Sequence, residues 1–245
     1  MPNVKCLVPV SGGKDSQASL QLALQRFAPE DVRGLFCDTQ FEHPLTYAHV
    51  DWMRQHYGVR IDTVSGGSVL EKSLKYRRFP GGGARHCTDE LKIRETKIYC
   101  KALAEQQGCG FEVWYGMRSK ESSERQKRYA GKVCDEVYAP HEVIPSKYPK
   151  YLAKLGVMFR LCILDWSDAD VLAFLDGLES PLYAAGFPRV GCFPCLASAD
   201  KYQVKAFTHD DFGRGQWQRV QVVARQIGRN PLRKQDAMGC ELCAI

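Results

Sequence analysis

Cys6-Leu7-Val8-Pro9-Val10, followed at once by Ser11-Gly12-Gly13-Lys14-Asp15-Ser16, is the stretch on which the fold of this chain turns. The apolar run reads as a buried strand over Val4 to Val10. Ser16 to Phe27 then reads as a helix, with Leu20, Leu22, Ala23 and Leu24 on or near its apolar face. Two glycines at a strand–helix junction let backbone approach an anion, and the helix start offers unpaired N–H groups in a positive potential. Lys14 adds a cation, and Ser11 and Ser16 add hydroxyls. The bland alternative is a glycine turn with a serine cap. The complete string in this position favours phosphate binding. It is not a Walker A loop, whose glycines stand four residues apart before Gly-Lys-Ser/Thr.

Outward from this string, strands and helices alternate. Val32 to Cys37, Ile61 to Val64 and Phe111 to Tyr115 read as strands. Leu45 to Tyr57, Val69 to Tyr76 and Thr88 to Gln107 read as helices, the last with Leu91, Ile98, Ala102 and Leu103 as core candidates. This order predicts an α/β fold with a doubly wound parallel sheet, whose ligands sit beyond the carboxyl ends of the strands. Later, Glu142 to Tyr151 reads as loop or edge structure and Arg160 to Trp166 as a strand. A helix capped by Ser167 runs through Leu178, Pro181 to Cys195 is rich in turns, and two helices cover 199–207 and 216–227. The expected division is a nucleotide-binding domain over 1–200 and a helical C-terminal extension over 201–245 that carries a Cys-x-x-Cys tail.

The 245 residues are 44% hydrophobic and 25% charged, which excludes a disordered or fibrous chain. No apolar run approaches the roughly 20 residues of a membrane span. The N-terminus lacks the apolar stretch of a signal peptide. Eleven cysteines, an odd number, suit a reducing cytoplasmic compartment better than a disulfide scaffold.

Several segments together resemble one family. Ser11-Gly12-Gly13-Lys14-Asp15-Ser16 is similar to the Ser-Gly-Gly-x-Asp-Ser signature of the PP-loop ATP pyrophosphatases. Asp38-Thr39-Gln40-Phe41-Glu42-His43-Pro44, Gly116-Met117-Arg118 through Glu121-Ser122 to Arg125, Trp166 with Asp170-Val171, and Pro181-Leu182-Tyr183 through Gly191-Cys192-Phe193-Pro194-Cys195 narrow the resemblance. They point to the phosphoadenylyl-sulfate reductase branch, which includes the DNA-phosphorothioation pyrophosphatases. The resemblance implies an adenine nucleotide alpha hydrolase-like fold. It implies that residues Ser11, Gly12, Gly13, Lys14, Asp15 and Ser16 grip the phosphates or phosphosulfate of an adenine nucleotide. Asp38 is then a nucleotide or Mg²⁺ ligand, or otherwise a capping residue. Arg118 is the better phosphate partner, and Arg125 the weaker, because a solvated helix face explains it equally well.

Cys192 and Cys195 have the spacing of a zinc, iron–sulfur or thiol redox motif. The resemblance adds Cys87, which precedes a lysine by five residues, Lys92. A [4Fe–4S] cluster on Cys87, Cys192 and Cys195 is implied, with Cys240, Cys243 or His86 as fourth ligand, or with one open iron site. Zinc is the alternative, since the pairs 192–195 and 240–243 also suit a tetrahedral Cys₄ site. Cys6, Cys37, Cys100, Cys109 and Cys162 read as small buried hydrophobes.

The net charge is +6. Basic residues cluster over 72–101, 118–132 and 212–235, the last with no acidic residue, and mildly favour a nucleic-acid partner. Arg77-Arg78-Phe79-Pro80-Gly81-Gly82-Gly83 reads as a mobile basic loop near the site.

Three functions follow. In the first, the protein adenylates a substrate with ATP and Mg²⁺, releases pyrophosphate and supports sulfur transfer to tRNA or DNA, with Lys14 and Arg118 stabilising charge. In the second it is a sulfonucleotide reductase that releases sulfite from adenylyl sulfate through Cys240 or Cys243. Its tail lacks that family's Glu-Cys-Gly-Leu-His and places the two cysteines there instead. The third is a non-catalytic nucleotide sensor with structural zinc. The first two imply a sulfur donor or a thiol reductant protein as partner, no membrane association, and leave a homodimer open.

Overall fold

The computed structural model describes residues 3–81 and 84–232. Cys240 and Cys243 lie outside them. Strand β1 (Cys6–Val10) leads through the loop into α1 (Lys14–Arg26), then β2 (Val32–Asp38), α2 (Pro44–His56), β3 (Ile61–Ser65) and α3 (Val69–Lys75). A π-helical segment, Cys87–Ile93, runs into α4 (Arg94–Gln107), followed by β4 (Glu112–Trp114), α5 (Ser123–Arg128), β5 (Val137–Tyr138), α6 (Pro140–Val143), α7 (Tyr151–Lys154) and β6 (Met158–Arg160). Helices α8 (Asp168–Leu175), α9 (Pro181–Ala184), α10 (Asp200–His209) and α11 (Asp211–Ile227) complete the described chain.

The sheet order is β3-β2-β1-β4-β6-β5. All pairings are parallel except that of the edge strand β5 with β6. Side chains on a strand alternate between faces, and here each face has a core. Cys6, Val8 and Val10 of β1 join Val32, Phe36 and Trp114 in one, with Ala18, Leu20 and Ala23 of α1. Leu7 joins Leu35, Val113 and Phe159 in the other, with Cys100 and Ala104 of α4. The sheet is thus doubly wound, as the sequence predicts. A third core joins α11, through Trp217, Val220 and Val223, to Val69 and Leu70 of α3 and to Leu196 beside Cys195.

Several local expectations are corrected. The segment expected as a strand over Arg160 to Trp166 leaves the sheet at Arg160 and turns, with Leu164 N–H donating to Leu161 O and Trp166 N–H to Ile163 O. Leu161 to Leu164 are all buried. A continuous apolar run does not distinguish a strand from a buried turn. In the long helix Leu91 is buried, but Ile98 is 52% exposed and Ala102 is exposed. The buried positions after Leu91 are Thr96, Cys100 and Ala104. The first step is the five-residue step of a π turn and the rest are α-helical steps of four, so the apolar face is rotated. Residues expected as loop within Glu142 to Tyr151 begin with the end of α6. Cys109 is exposed rather than packed, because Gly108 (φ +69°) ends α4 one residue earlier. Phe79 and Pro80 of the basic loop are buried, Phe79 in the third core, so its described part is anchored.

Candidate functional site

After β1 the chain steps outward to β2 and β3, and from β4 it steps the other way to β6 and β5. The topological switch lies between β1 and β4, the place where open α/β sheets bind ligands. The loop 11–16 leaves one side of it and Tyr115 to Arg118 the other. The two approach so closely that a Cβ on Gly116 would stand 2.5 Å from Asp15 O. Gly12 takes φ +75°, and its Cβ would stand 2.7 Å from Thr46 Cγ2. Both positions therefore require glycine.

The loop is braced from within. Ser16 Oγ donates to Gly13 O at 2.8 Å and accepts from Ser11 N–H at 3.1 Å. Tyr183 Oη accepts from Lys14 N–H at 3.0 Å, and the Lys14 ammonium lies 5.2 Å from the centre of the same ring. Burial pushes the Tyr183 hydroxyl up to about 12, so it remains a neutral phenol. Arg118, 3% exposed, donates from Nε to Asp15 Oδ1 at 2.9 Å and from Nη2 to Asp168 Oδ1 at 2.7 Å. Lys14 Nζ stands 2.8 Å from the same Asp168 oxygen. Burial opposes the Arg118 charge, but Asp15 and Asp168 raise its pKa above the usual arginine range.

The structure thus brings Ser11, Gly12, Gly13, Lys14, Asp15, Ser16 and Arg118 together. Arg125 stands apart on α5 and pairs with Glu121, which Arg189 also approaches at 3.4 Å. Asp38 ends β2, and its Oδ1 accepts from Gln40 N–H at 2.7 Å and from the Tyr47 hydroxyl at 2.8 Å. It holds a turn in which Gln40 takes φ +55°.

The cysteines form a second group at the end of β2. Glu42 and Cys192 make an antiparallel bridge, and Phe193 N–H donates to Phe41 O at 2.7 Å. These contacts press the Cys192–Cys195 turn on the segment after β2. Thr39 Oγ1 lies 3.3 Å from Cys192 Sγ and donates to Glu42 Oε1 at 2.6 Å. Neighbouring acidic groups, Cys192 foremost and then Glu42, raise the Lys92 pKa above the ordinary lysine range against the opposing effect of burial. Burial pushes the Cys192 thiol up to about 12, against the pull of Lys92. Burial likewise raises Cys87, with Lys92 opposing and Cys195 adding to the rise.

Cys87 and Cys192 pack against the same core, with Cys195 in the turn that Cys192 opens, and thiols are donors suited to a soft metal centre. A single zinc needs every sulfur about 2.3 Å from one point. Among the described residues, no three His, Cys, Asp or Glu side chains are placed to hold one metal ion. His86 does not join the group. Its ring stacks on Tyr76 at 5.0 Å, and neither ring nitrogen has a hydrogen-bond partner.

Asp168, Tyr183 and Glu42 were not singled out by sequence reasoning. Tyr183 stood inside the quoted Pro-Leu-Tyr motif and Glu42 inside the Asp38 segment. Asp168 directly follows the Ser167 cap, and nothing in its spacing ties it to Lys14.

A strand–loop–helix junction of this sequence, at the switch of a doubly wound sheet, defines a PP-loop type of protein. The chain belongs to the phosphoadenosine phosphosulfate reductase domain family, whose model matches residues 5–198. It is 28% identical over 194 residues to a protein of Methanocaldococcus jannaschii, covering 78% of this chain and 36% of that one. It is 26% identical over 196 residues to the adenosine 5'-phosphosulfate reductase of Pseudomonas aeruginosa, covering 77% of this chain and 64% of the reductase. The chain therefore spans less than two thirds of either relative. Among solved structures it is similar to phosphoadenylyl-sulfate reductase from Candida auris in its phosphate complex, with a TM-score of 0.48 and 18% identity over 79% of this chain and 83% of that one. Among the described residues, no helix is long and apolar enough to cross a membrane.

Proposed function

We propose that this protein is a PP-loop enzyme that binds ATP or a related adenine nucleotide and activates a substrate by adenylation, for sulfur transfer to nucleic acid. The observation that carries the reading is the convergence of Lys14 and Arg118 beside the loop 11–16, at the sheet's switch point. A substrate oxygen attacks the α-phosphorus, the bond to the β-phosphate breaks, and pyrophosphate leaves. Lys14 and Arg118 neutralise charge gathering on the phosphate oxygens, and a bound Mg²⁺ would add to that neutralisation. Tyr183 fixes the backbone at Lys14, and Asp15 orients Arg118.

Cys87, Cys192 and Cys195 would hold a [4Fe–4S] cluster in this reading, and the packing of Cys87 and Cys192 against one core supports it. When bound, the cluster supplies a site for sulfur. The fourth ligand falls to Cys240, outside the described residues. The second reading, a sulfonucleotide reductase, is favoured by the family match and by the reductase among the relatives. It needs Cys240 or Cys243 as nucleophile.

One anaerobic experiment tests both. Purified protein is incubated with ATP and Mg²⁺, or with adenylyl sulfate and a thiol, and pyrophosphate, AMP and sulfite are measured. Pyrophosphate release stimulated by tRNA or DNA supports adenylation; sulfite release overturns it in favour of the reductase. Iron and acid-labile sulfide in the same preparation, lost in Cys192→Ala, support the cluster, and stoichiometric zinc contradicts it.

A further inference from the structure

Asp168 Oδ1 sits where two cations meet, 2.8 Å from Lys14 Nζ and 2.7 Å from Arg118 Nη2. A phosphoryl oxygen held by both cations must take that same point. We infer that Asp168 is a built-in competitor for the phosphate position, a carboxylate clasp that a nucleotide's phosphate displaces when it binds. The inference rests on the reading of loop 11–16 as a phosphate site.

Three features make Asp168 free to leave. It is the first residue of α8, yet the helix is capped without it: Ser167 Oγ accepts from Asp170 N–H at 3.1 Å, and Asp170 Oδ2 accepts from Ser167 N–H at 2.7 Å. Its side chain is 69% exposed, so water receives the carboxylate at little cost. Arg118 keeps its second partner, with Nε 2.9 Å and Nη2 3.4 Å from the Asp15 carboxylate, and stays oriented after the clasp opens. The cations, by contrast, are fixed, with Lys14 and Arg118 both buried.

The clasp has two consequences. It keeps buried Lys14 and Arg118 paired within the protein itself, which an unpaired buried charge requires. It also sets a threshold: a polyphosphate, with several charged oxygens, replaces both of Asp168's contacts, whereas a weakly charged anion does not. Asp168 is held below the usual carboxylate range, first by the Lys14 hydrogen bond, and so is an anion at neutral pH.

The test is calorimetric titration of the full chain with ATP and with inorganic pyrophosphate, each with and without Mg²⁺. Wild type is compared with Asp168→Asn and with Asp165→Asn, which removes the same charge from an exposed neighbour. The clasp predicts that Asp168→Asn binds both ligands at least about threefold more tightly, within the roughly two- to thirtyfold that two partly exposed ion pairs allow. Asp165→Asn stays within about twofold of wild type, as a screened charge at a distance should. Equal affinities for Asp168→Asn and wild type overturn the clasp while leaving the nucleotide site intact. Weaker binding of Asp168→Asn in Mg²⁺ alone overturns it by making Asp168 a metal ligand. No binding by any of the three proteins overturns both the clasp and the phosphate reading.

Discussion

Gly116 has no room for a methyl group. A Cβ there would meet Asp15 O at 2.5 Å and Ser16 N at 3.0 Å, both backbone atoms that cannot swing aside. The close approach brings the end of β4 against the start of α1 and lets Arg118 reach Asp15. Gly116→Ala is therefore expected to cost about 1–3 kcal/mol, as overpacking does, measured as a lowered urea midpoint at unchanged slope. An unchanged midpoint would contradict the contact. At this scale the site was partly legible. Ser11 to Ser16 and Arg118 announce themselves by residue type and position at strand ends. Asp168, fifty residues beyond Arg118, joins them only through the fold, and a helix N-terminus is an ordinary place for an aspartate. Cys109 misled for the opposite reason: its neighbours look helical, and only the left-handed Gly108 puts it outside the helix.

Among elements, the decisive joint is the one between α11 and α2. Asp210 caps α11, with Oδ1 accepting from Gly213 N–H at 2.7 Å, and its Oδ2 lies 2.8 Å from His43 Nε2. His43 in turn caps α2, its Nδ1 accepting from Leu45 N–H at 3.0 Å. Because Nδ1 accepts, Nε2 carries the proton and donates to Asp210. One aspartate thus holds two helices in register beside the Cys192–Cys195 turn. Asp210→Ala should lose about 1–2 kcal/mol, the scale of a helix cap. Burial raises the Asp210 pKa, but the Gly213 N–H and His43 more than offset this, and the net shift is downward. A lowered folded-state pKa means a contribution that is complete above the unfolded value of about 3.9 and lost as pH falls through the folded one. The stability gap between wild type and Asp210→Ala should therefore be constant near neutrality and shrink in acid below about pH 4. A gap that widens in acid would contradict it. The π segment belongs to this scale too. Sequence periodicity assumes 3.6 residues per turn, so one five-residue step moved Ile98 and Ala102 out of the core and Cys100 and Ala104 in.

For the whole molecule, the strand order had no local signal, whereas the doubly wound parallel sheet was readable because strand-like and helix-like segments alternate along the first half of the chain. The strand expected over Arg160 to Trp166 was not, because sheet pairing stops at Arg160 while burial continues to Leu164. The third core, where α11 meets α3 and the turn after Cys195, involves residues more than a hundred positions apart and left no local signal. That core carries Cys87 and Cys192, while the loop 11–16 lies at the switch between β1 and β4.

The central claim is that residues 11–16 hold the phosphates of an adenine nucleotide, with Lys14 as their fixed cation. Equilibrium binding of ATP to wild type and to Lys14→Ala tests it most directly. A charge-assisted hydrogen bond of about 1.5–3 kcal/mol predicts an affinity loss of at least about tenfold in Lys14→Ala. Equal binding of ATP by the two proteins would contradict the account.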